Sequence, residues 1–425
     1  MKKGFTVSQS LVVSKAGITV GELFRSEGRG LYFTYDKDWL AKGFNLSPLT
    51  MAFDEKPQLA RNLQTFNGLH GPFADSLPDG WGMLLMDRFF NAAFGDGTAL
   101  TLNMLDRLAY IGDRGMGAFE YHPKTDNTAL TSAIDISELF LASQAILEGE
   151  TADVLAKLRL AGGSPGGARP KVVAALSADQ THATSAFGSI PDDYEHWIIK
   201  FRAGPEPIET GAMEYAYAQL ARNSGVEVPQ SCLLHQPMSG APAERFFATK
   251  RFDRENGRKR HMISVAALLY ADHRAPTMDY SQMLKLTHVL TNDAVEVEKM
   301  ARLMIFNALS HNYDDHTKNF AFLCNEPEQP GADVTWSLAP AYDLTFTEAR
   351  GEHSTAFAGR GKATRQIIKK LCADFKYLKP DEYIDQTLDA LTDWREVLRK
   401  CDIPVKAGEG IFRVLEQVRK DFERG

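Results

Sequence analysis

HNYDDHTKNF, residues 311–320, sets two Asp, two His, two Asn and a Lys in one short segment directly behind an apolar run. Three readings compete for it: a metal hydrolase site, a phosphoryl-transfer loop, or a solvated turn. In protein-kinase catalytic loops the base Asp precedes a metal-binding Asn by five residues, with a Lys between them that neutralises the transferring phosphate. Here Asp314 precedes Asn319 by five residues and Lys318 lies between. The segment follows a helix-periodic stretch with Val297, Met300, Met304 and Ala308 on one face, and runs into an apolar strand, NFAFL. Turn-rich CNEPEQPGADV then leads to WSLAPAYDLTF, so a second strand is expected to deliver Asp343 beside the first. On this reading Asp314 takes the proton of an attacking hydroxyl. Asn319 and Asp343 hold Mg²⁺, a hard cation that prefers oxygen ligands. Asp315 stands at the wrong spacing for the base, and His316 is expected to brace the loop.

Upstream, the parts of a phosphoryl-transfer site occur in order. LRLAGGSPGGARPKVVAAL, from residue 158, is a glycine-rich loop between apolar segments, and HWIIKFR at 196–202 is a strand with an internal Lys, Lys200. AMEYAYAQLARNSG follows as an amphipathic helix carrying Glu214, closed by Gly225, and VEVPQSCLL starts another strand. Phosphoryl transfer asks for positioned charge: a glycine loop covers phosphates with backbone N–H groups, a strand Lys holds phosphate oxygens, and a helix Glu orients that Lys. Singly these features are weak, because glycine loops are commonly plain turns and a strand Lys commonly reaches solvent. A hydrolase would instead recruit His311, Asp314, Asp315 and His316 around a transition metal. It would need further ligands, and would leave the glycine loop, Lys200 and Asn319 without roles.

Composition frames this. The 425 residues are 44% hydrophobic and 24% charged, ordinary for a chain with two or three cores. The start, MKKGFTVSQSLVVSKAG, has no sustained apolar region, nowhere do eighteen apolar residues run together, and a cytoplasmic, soluble protein without membrane attachment is expected. Cys232, Cys324, Cys372 and Cys401 lie far apart with no CxxC pair, which suggests neither a zinc site nor a disulfide framework. The net charge of −7 argues against broad nucleic-acid binding by the whole chain. Residues 1–125 read as a β-rich subdomain with short alternating segments such as GLYFTYD, and with GLHGPFADSLPDGWG and IGDRGMGAFEY as turns. Residues 126–159 read as a helical linker, 160–255 as a β-containing lobe with the glycine loop, and 256–425 as a mainly helical lobe.

GGSPGGARPK (162–171), IIKF (198–201), KRFDR (250–254), NYDDHTKNF (312–320) and APAYDL (339–344) together resemble the HipA family of bacterial serine/threonine kinases, toxins of type II toxin-antitoxin pairs. FADSLPDGWG and GDRGMGAFEY resemble that family's N-terminal subdomain, so the likeness covers nearly the whole chain. The resemblance implies an α+β, two-lobed protein-kinase-like fold related to lipid kinases, with ATP and Mg²⁺ as cofactors. It implies that Asp314 is the base, Asn319 and Asp343 the metal ligands, and Lys200 a phosphate contact. By the same resemblance Phe252 faces adenine, Asp253 faces ribose, and the loop with Gly163, Ser164, Gly166 and Gly167 covers ATP. Ser164 matches a serine whose autophosphorylation ejects that loop and silences the enzyme; the alternative is that it only helps the turn. Pairing of Glu214 with Lys200 follows by analogy to protein kinases. The implied partners are an aminoacyl-tRNA synthetase as substrate and a helix-turn-helix antitoxin, with operator DNA contacted mainly through that antitoxin. A small-molecule kinase of the aminoglycoside type and a noncatalytic scaffold remain as alternatives.

Overall fold

Strand alternation builds the first sheet. β1 (Ser10–Lys15), β2 (Ile18–Ser26) and β3 (Gly30–Tyr35) form an antiparallel meander, flanked by β4 (Gln58–Leu59) and β5 (Glu120–His122) in the order β4-β3-β2-β1-β5. One face buries Leu11, Val13, Leu23, Phe33 and Tyr35. The protein is seen in a computed structural model that describes residues 5–60, 64–125, 133–149, 158, 166–327, 333–347 and 351–424.

The segment GLHGPFADSLPDGWG is not all turn. It holds a short helix, Gly71–Ala74, and its last three residues begin the helix Gly80–Phe94. That helix is apolar on two sides, which blurs the one-face periodicity by which amphipathic helices are recognised. Trp81 and Leu85 pack against the second sheet, while Met86 and Phe90 pack with Tyr110 and Ile111 of the helix Met104–Ile111.

The second sheet is antiparallel in the order β7-β6-β8-β10-β9, from β6 (Lys171–Ser177), β7 (Ala183–Ser185), β8 (Tyr194–Lys200), β9 (Ser231–Met238) and β10 (Ala241–Lys250). Its core face carries Val172, Ala174, Trp197, Ile199, Phe246 and Ala248, covered by Phe140 and Ile146 of the helix Ile136–Glu148. Gly149 ends that helix with φ 104°, and the expected continuation through ETADVLAKL falls on residues outside those described, Leu158 apart. The helix Thr210–Asn223 follows β8, with Gly225 at φ 78° just beyond its Ser224 cap. It lies so close to the sheet that a Cβ on Gly211 would stand 2.3 Å from the Arg245 carbonyl oxygen, so only glycine fits there.

After the two-residue strands β11 (Arg254–Glu255) and β12 (Arg258–Lys259), a third sheet forms from β13 (Met262–Ser264), β14 (Ala321–Asn325) and β15 (Thr335–Leu338). Helices dominate the remainder, among them Tyr280–Thr291, Ala294–Leu309, Pro380–Thr392 and Val405–Arg424. One hydrophobic core runs from Phe33, Phe73 and Phe119 through Ile263 and Leu268 to Met300, Met304 and Trp394. The first sheet therefore shares its core with the helical part. No helix of the described residues is long and apolar enough to cross a membrane.

Candidate functional site

A cleft of about 660 Å³ is lined by Gly166, Gly167, Lys200, Glu214, Phe252, Asp314, His316, Lys318, Asn319 and Asp343. Ten residues singled out in sequence, spread over nearly 180 positions, thus meet in one place. Gly163 and Ser164 lie outside the described residues.

Lys200 owes its direction to the two-residue period of β8, which sends Ile199 into the core and Lys200 to the opposite face. Its ammonium donates to Glu214, from the helix behind, and to Asp343 Oδ1 at 2.5 Å. Burial alone would lower the Lys200 pKa, but the Asp343 and Glu214 carboxylates hold it above the ordinary lysine value. Burial likewise works against Asp343 ionisation and is outweighed by Lys200 and Lys171, which hold its carboxyl well below the usual range. Asp343 adopts φ 58°, a left-handed conformation uncommon outside glycine and often found at functional sites.

Lys171 was missed in sequence. It opens β6 directly opposite Lys200, so two lysines face each other across one strand pair on the cleft side. Like charges in that position repel, and an anion between them would relieve the repulsion. Lys171 Nζ donates to the Gly166 carbonyl, tying the glycine loop to the sheet, and burial lowers its pKa. The signal was present, since Lys171 closes the GGSPGGARPK stretch, but lysine after a turn is too common to stand out.

In the loop after the helix Ala294–Leu309, Asn319 Nδ2 donates to the Asp314 carbonyl at 2.8 Å, which closes the turn and leaves Oδ1 as that amide's acceptor. Asp314, Asn319 and Lys318 all face the cleft, and Tyr342 fixes the Lys318 backbone by donating to its carbonyl at 2.6 Å. Asp315 turns the other way. It is buried, accepts from Tyr280 Oη at 2.7 Å and from the Ser354 and Thr355 amides at 2.8 and 3.2 Å, and lies 2.9 Å from His353 Nδ1. His311 stacks on Phe346 with ring centroids 4.9 Å apart, and His316 packs edge-on to His273 at 5.6 Å. Of the ligand set considered for a hydrolase, Asp314 and His316 line the cleft while His311 and Asp315 are held elsewhere. Among the described residues no group of three or more His, Cys, Asp and Glu converges as a metal site.

KRFDR divides at the end of β10. Phe252 faces the cleft, its ring 5.5 Å from that of Tyr342, and the two make an apolar wall beside polar groups. Asp253 does not face the cleft, which corrects its expected contact with ribose. Its carboxylate is fully buried and accepts from Arg251 Nε and Nη2 at 2.9 and 2.8 Å, from Arg254 Nη1 at 2.8 Å and from the Gly117 amide at 2.7 Å. Despite burial, Arg251 and Arg254 keep that carboxyl far below the ordinary Asp value. Both arginines also donate to the Gly115 carbonyl, so the strand end is bonded to the GDRGMG turn of the first subdomain.

DSLPDGWG supplies further cleft residues that sequence reasoning passed over. Asp75 accepts from the Ser264 amide and hydroxyl, and burial, opposed by those bonds, raises its pKa to about 6. Asp79 pairs with Lys318 Nζ at 2.7 Å. Trp81 Nε1 donates to the Lys171 carbonyl at 3.1 Å, and its amide to the Gly167 carbonyl at 3.3 Å. These are tertiary bonds across roughly ninety residues or more, with no local pattern to announce them.

A family model described as the HipA-like C-terminal domain matches residues 163–402, and one described as the HipA N-terminal domain matches residues 11–122. The putative kinase Y4dM of Sinorhizobium fredii is 28% identical over 173 residues, 38% of this chain and 40% of that protein. The chain thus spans about two fifths of the length of that curated relative. HipA of Shewanella oneidensis MR-1, solved in a complex with HipB and operator DNA, aligns with a TM-score of 0.66 over 97% of each chain, at 16% identity, which is a likeness of fold. The matched models take in both the sheet that carries Lys200 and the subdomain docked beside it, and the chain belongs to the HipA family.

Proposed function

We propose that this chain is an ATP- and Mg²⁺-dependent serine/threonine protein kinase of the HipA type, the toxin of a toxin-antitoxin pair. The observation that carries the reading is the convergence of Lys200, Glu214, Asp314, Lys318, Asn319 and Asp343 on one cleft. In this reading the β6–β10 sheet and the helical part with the Asp314 loop are the two lobes of a kinase-like fold. Phe252 and Tyr342 supply an apolar wall for adenine, and Lys171 and Lys200 supply charge for phosphates. Oxygen donors on Asn319 and Asp343 suit a hard cation, and Mg²⁺ held there would neutralise charge on the transferring group. Asp314 takes the proton of the acceptor hydroxyl as its oxygen bonds to the γ-phosphorus and the bond to the β,γ-bridging oxygen breaks, releasing ADP. Lys318 lies beside that base to offset charge on the phosphoryl oxygens.

The substrate is proposed to be a translation component such as an aminoacyl-tRNA synthetase, and the neutralising partner a helix-turn-helix antitoxin through which operator DNA is reached. The solved relative was crystallised with HipB and operator DNA, which supports the latter. Ser164 is proposed as the autophosphorylation site: a phosphate there would set nearly two negative charges beside those of ATP, and repulsion would expel the loop. Peptide-level mass spectrometry after incubation with ATP and Mg²⁺ tests this. The expected result is one phosphate on Ser164 in the wild type and none in Asp314→Ala. A wild type that neither modifies itself nor transfers phosphate to any protein, while phosphorylating small hydroxyl compounds, would overturn the assignment.

Glu214→Gln tests the Lys200 geometry. Losing one charged partner of a buried ammonium is expected to raise the KM for ATP about tenfold, the size of one charge-assisted hydrogen bond. Steady-state kinetics over an ATP series would read this as a KM effect, and an unchanged KM would remove Glu214 from the site.

A further inference from the structure

We propose that Asp79, contributed by the N-terminal subdomain, is the residue that positions Lys318 for phosphoryl transfer, so that the kinase site is incomplete without that subdomain. The proposal rests on the kinase reading and adds a residue to it. Lys318 is held at both ends. Its carbonyl accepts from Tyr342 Oη, and its ammonium pairs with Asp79 Oδ1 at 2.7 Å, with the two side chains only 16% and 33% exposed. A lysine stem is flexible and presents a point charge, so the direction of that charge depends on what holds its tip. Among the described residues, Asp79 is the carboxylate that the structure pairs with it.

The same aspartate touches the glycine loop. A Cβ at Gly166 would come 2.6 Å from Asp79 Oδ2, and one at Gly80 would come 2.9 Å from the Ala168 Cα, so the two segments approach closely and the backbone contact at position 80 calls for glycine. Trp81 then bonds to the backbone of Gly167 and Lys171. Three consecutive residues, Asp79 to Trp81, therefore contact the base of the glycine loop and the catalytic-loop lysine together. An element that reaches both sides of the cleft can set their relative placement, and displacement of a group by about 1 Å at such a site costs on the order of 10²-fold in rate. The carboxylate also offsets the Lys318 charge while no phosphate is present, and the γ-phosphoryl oxygens compete for the same ammonium when ATP is bound.

The test uses full-length protein, with transfer to Ser164 or a protein acceptor as readout. Asp79→Ala is expected to lower kcat about 10- to 100-fold while the KM for ATP changes less than about threefold, because Lys318 acts on the transferring group more than on ATP binding. In a Lys318→Met background the same change is expected to have almost no further effect, which a residue acting only on folding would not show. If Asp79→Ala does not fold, Asp79→Asn, which keeps the shape and one acceptor, replaces it in the same cycle. A kcat within about twofold of wild type, or an equal loss with and without Lys318, overturns the proposal and leaves the kinase reading standing. A wild type without any transfer removes both.

Discussion

Asp314→Ala is expected to lower phosphoryl transfer by about 10² to 10⁴-fold while leaving ATP binding and the unfolding midpoint near those of the wild type. The rate loss follows from removing the group proposed to take the acceptor proton. The stability expectation follows from place: Asp314 is half-buried at the cleft wall, and the loop's closing bond uses its main-chain carbonyl, which alanine keeps. Its neighbour provides the contrast. Asp315 is buried and takes bonds from Tyr280, Ser354 and Thr355, so Asp315→Ala is expected to destabilise the protein by several times more and to lower activity only through loss of folded protein. Single-turnover transfer and denaturant unfolding on the two variants separate these roles. If Asp315→Ala abolishes transfer in a stable protein while Asp314→Ala does not, the base has been assigned to the wrong aspartate. Asp343→Ala is expected to match Asp314→Ala in lost transfer, and to weaken ATP use as well, because Lys200 would lose one of its two carboxylate partners.

The contrast between adjacent aspartates shows what a sequence can carry. Asp314, Lys318 and Asn319 sit within one turn, so their spacing alone places them together, and the alternation of HWIIKFR points Lys200 away from a core of Trp197, Ile199 and Phe201. Such relations are local and follow from strand and loop geometry. The pairing of Asp79 with Lys318 spans 239 positions, and the opposition of Lys171 and Lys200 depends on strand register. Neither leaves a periodic trace. The helix Gly80–Phe94 was hidden for a related reason: it buries two faces against different partners, and its first residues, GWG, look like a turn. The expectation for Asp253 differs from the structure because a polar residue at a strand end beside the cleft has two available environments. The choice between them lay with Arg251, Arg254 and the distant Gly117 amide.

That choice has the largest expected consequence for stability. Asp253→Ala is expected to cost about 3–5 kcal/mol, the range for removing one member of a buried ion pair, because it strands two guanidinium groups. Arg251 is 3% exposed, and burial together with Arg251 already lowers the Arg254 pKa to about 10, so neither can recover its hydration without local unfolding. The loss would also free the GDRGMG turn from the end of β10, since the arginines that bond Gly115 are held in place by this carboxylate. The pH dependence has a definite sign. A carboxyl held below its unfolded value stabilises the fold above the unfolded Asp pKa of about 3.9, and that contribution is lost progressively as pH falls below that value and through the lower folded one. The difference between wild type and Asp253→Asn should therefore stay constant from about pH 5 to pH 8 and shrink progressively below about pH 4. A ribose contact predicts the opposite pattern: normal stability with a raised KM for ATP. Unfolding curves and an ATP titration on Asp253→Asn decide between them, and full stability with about tenfold weaker ATP use would return this aspartate to the nucleotide.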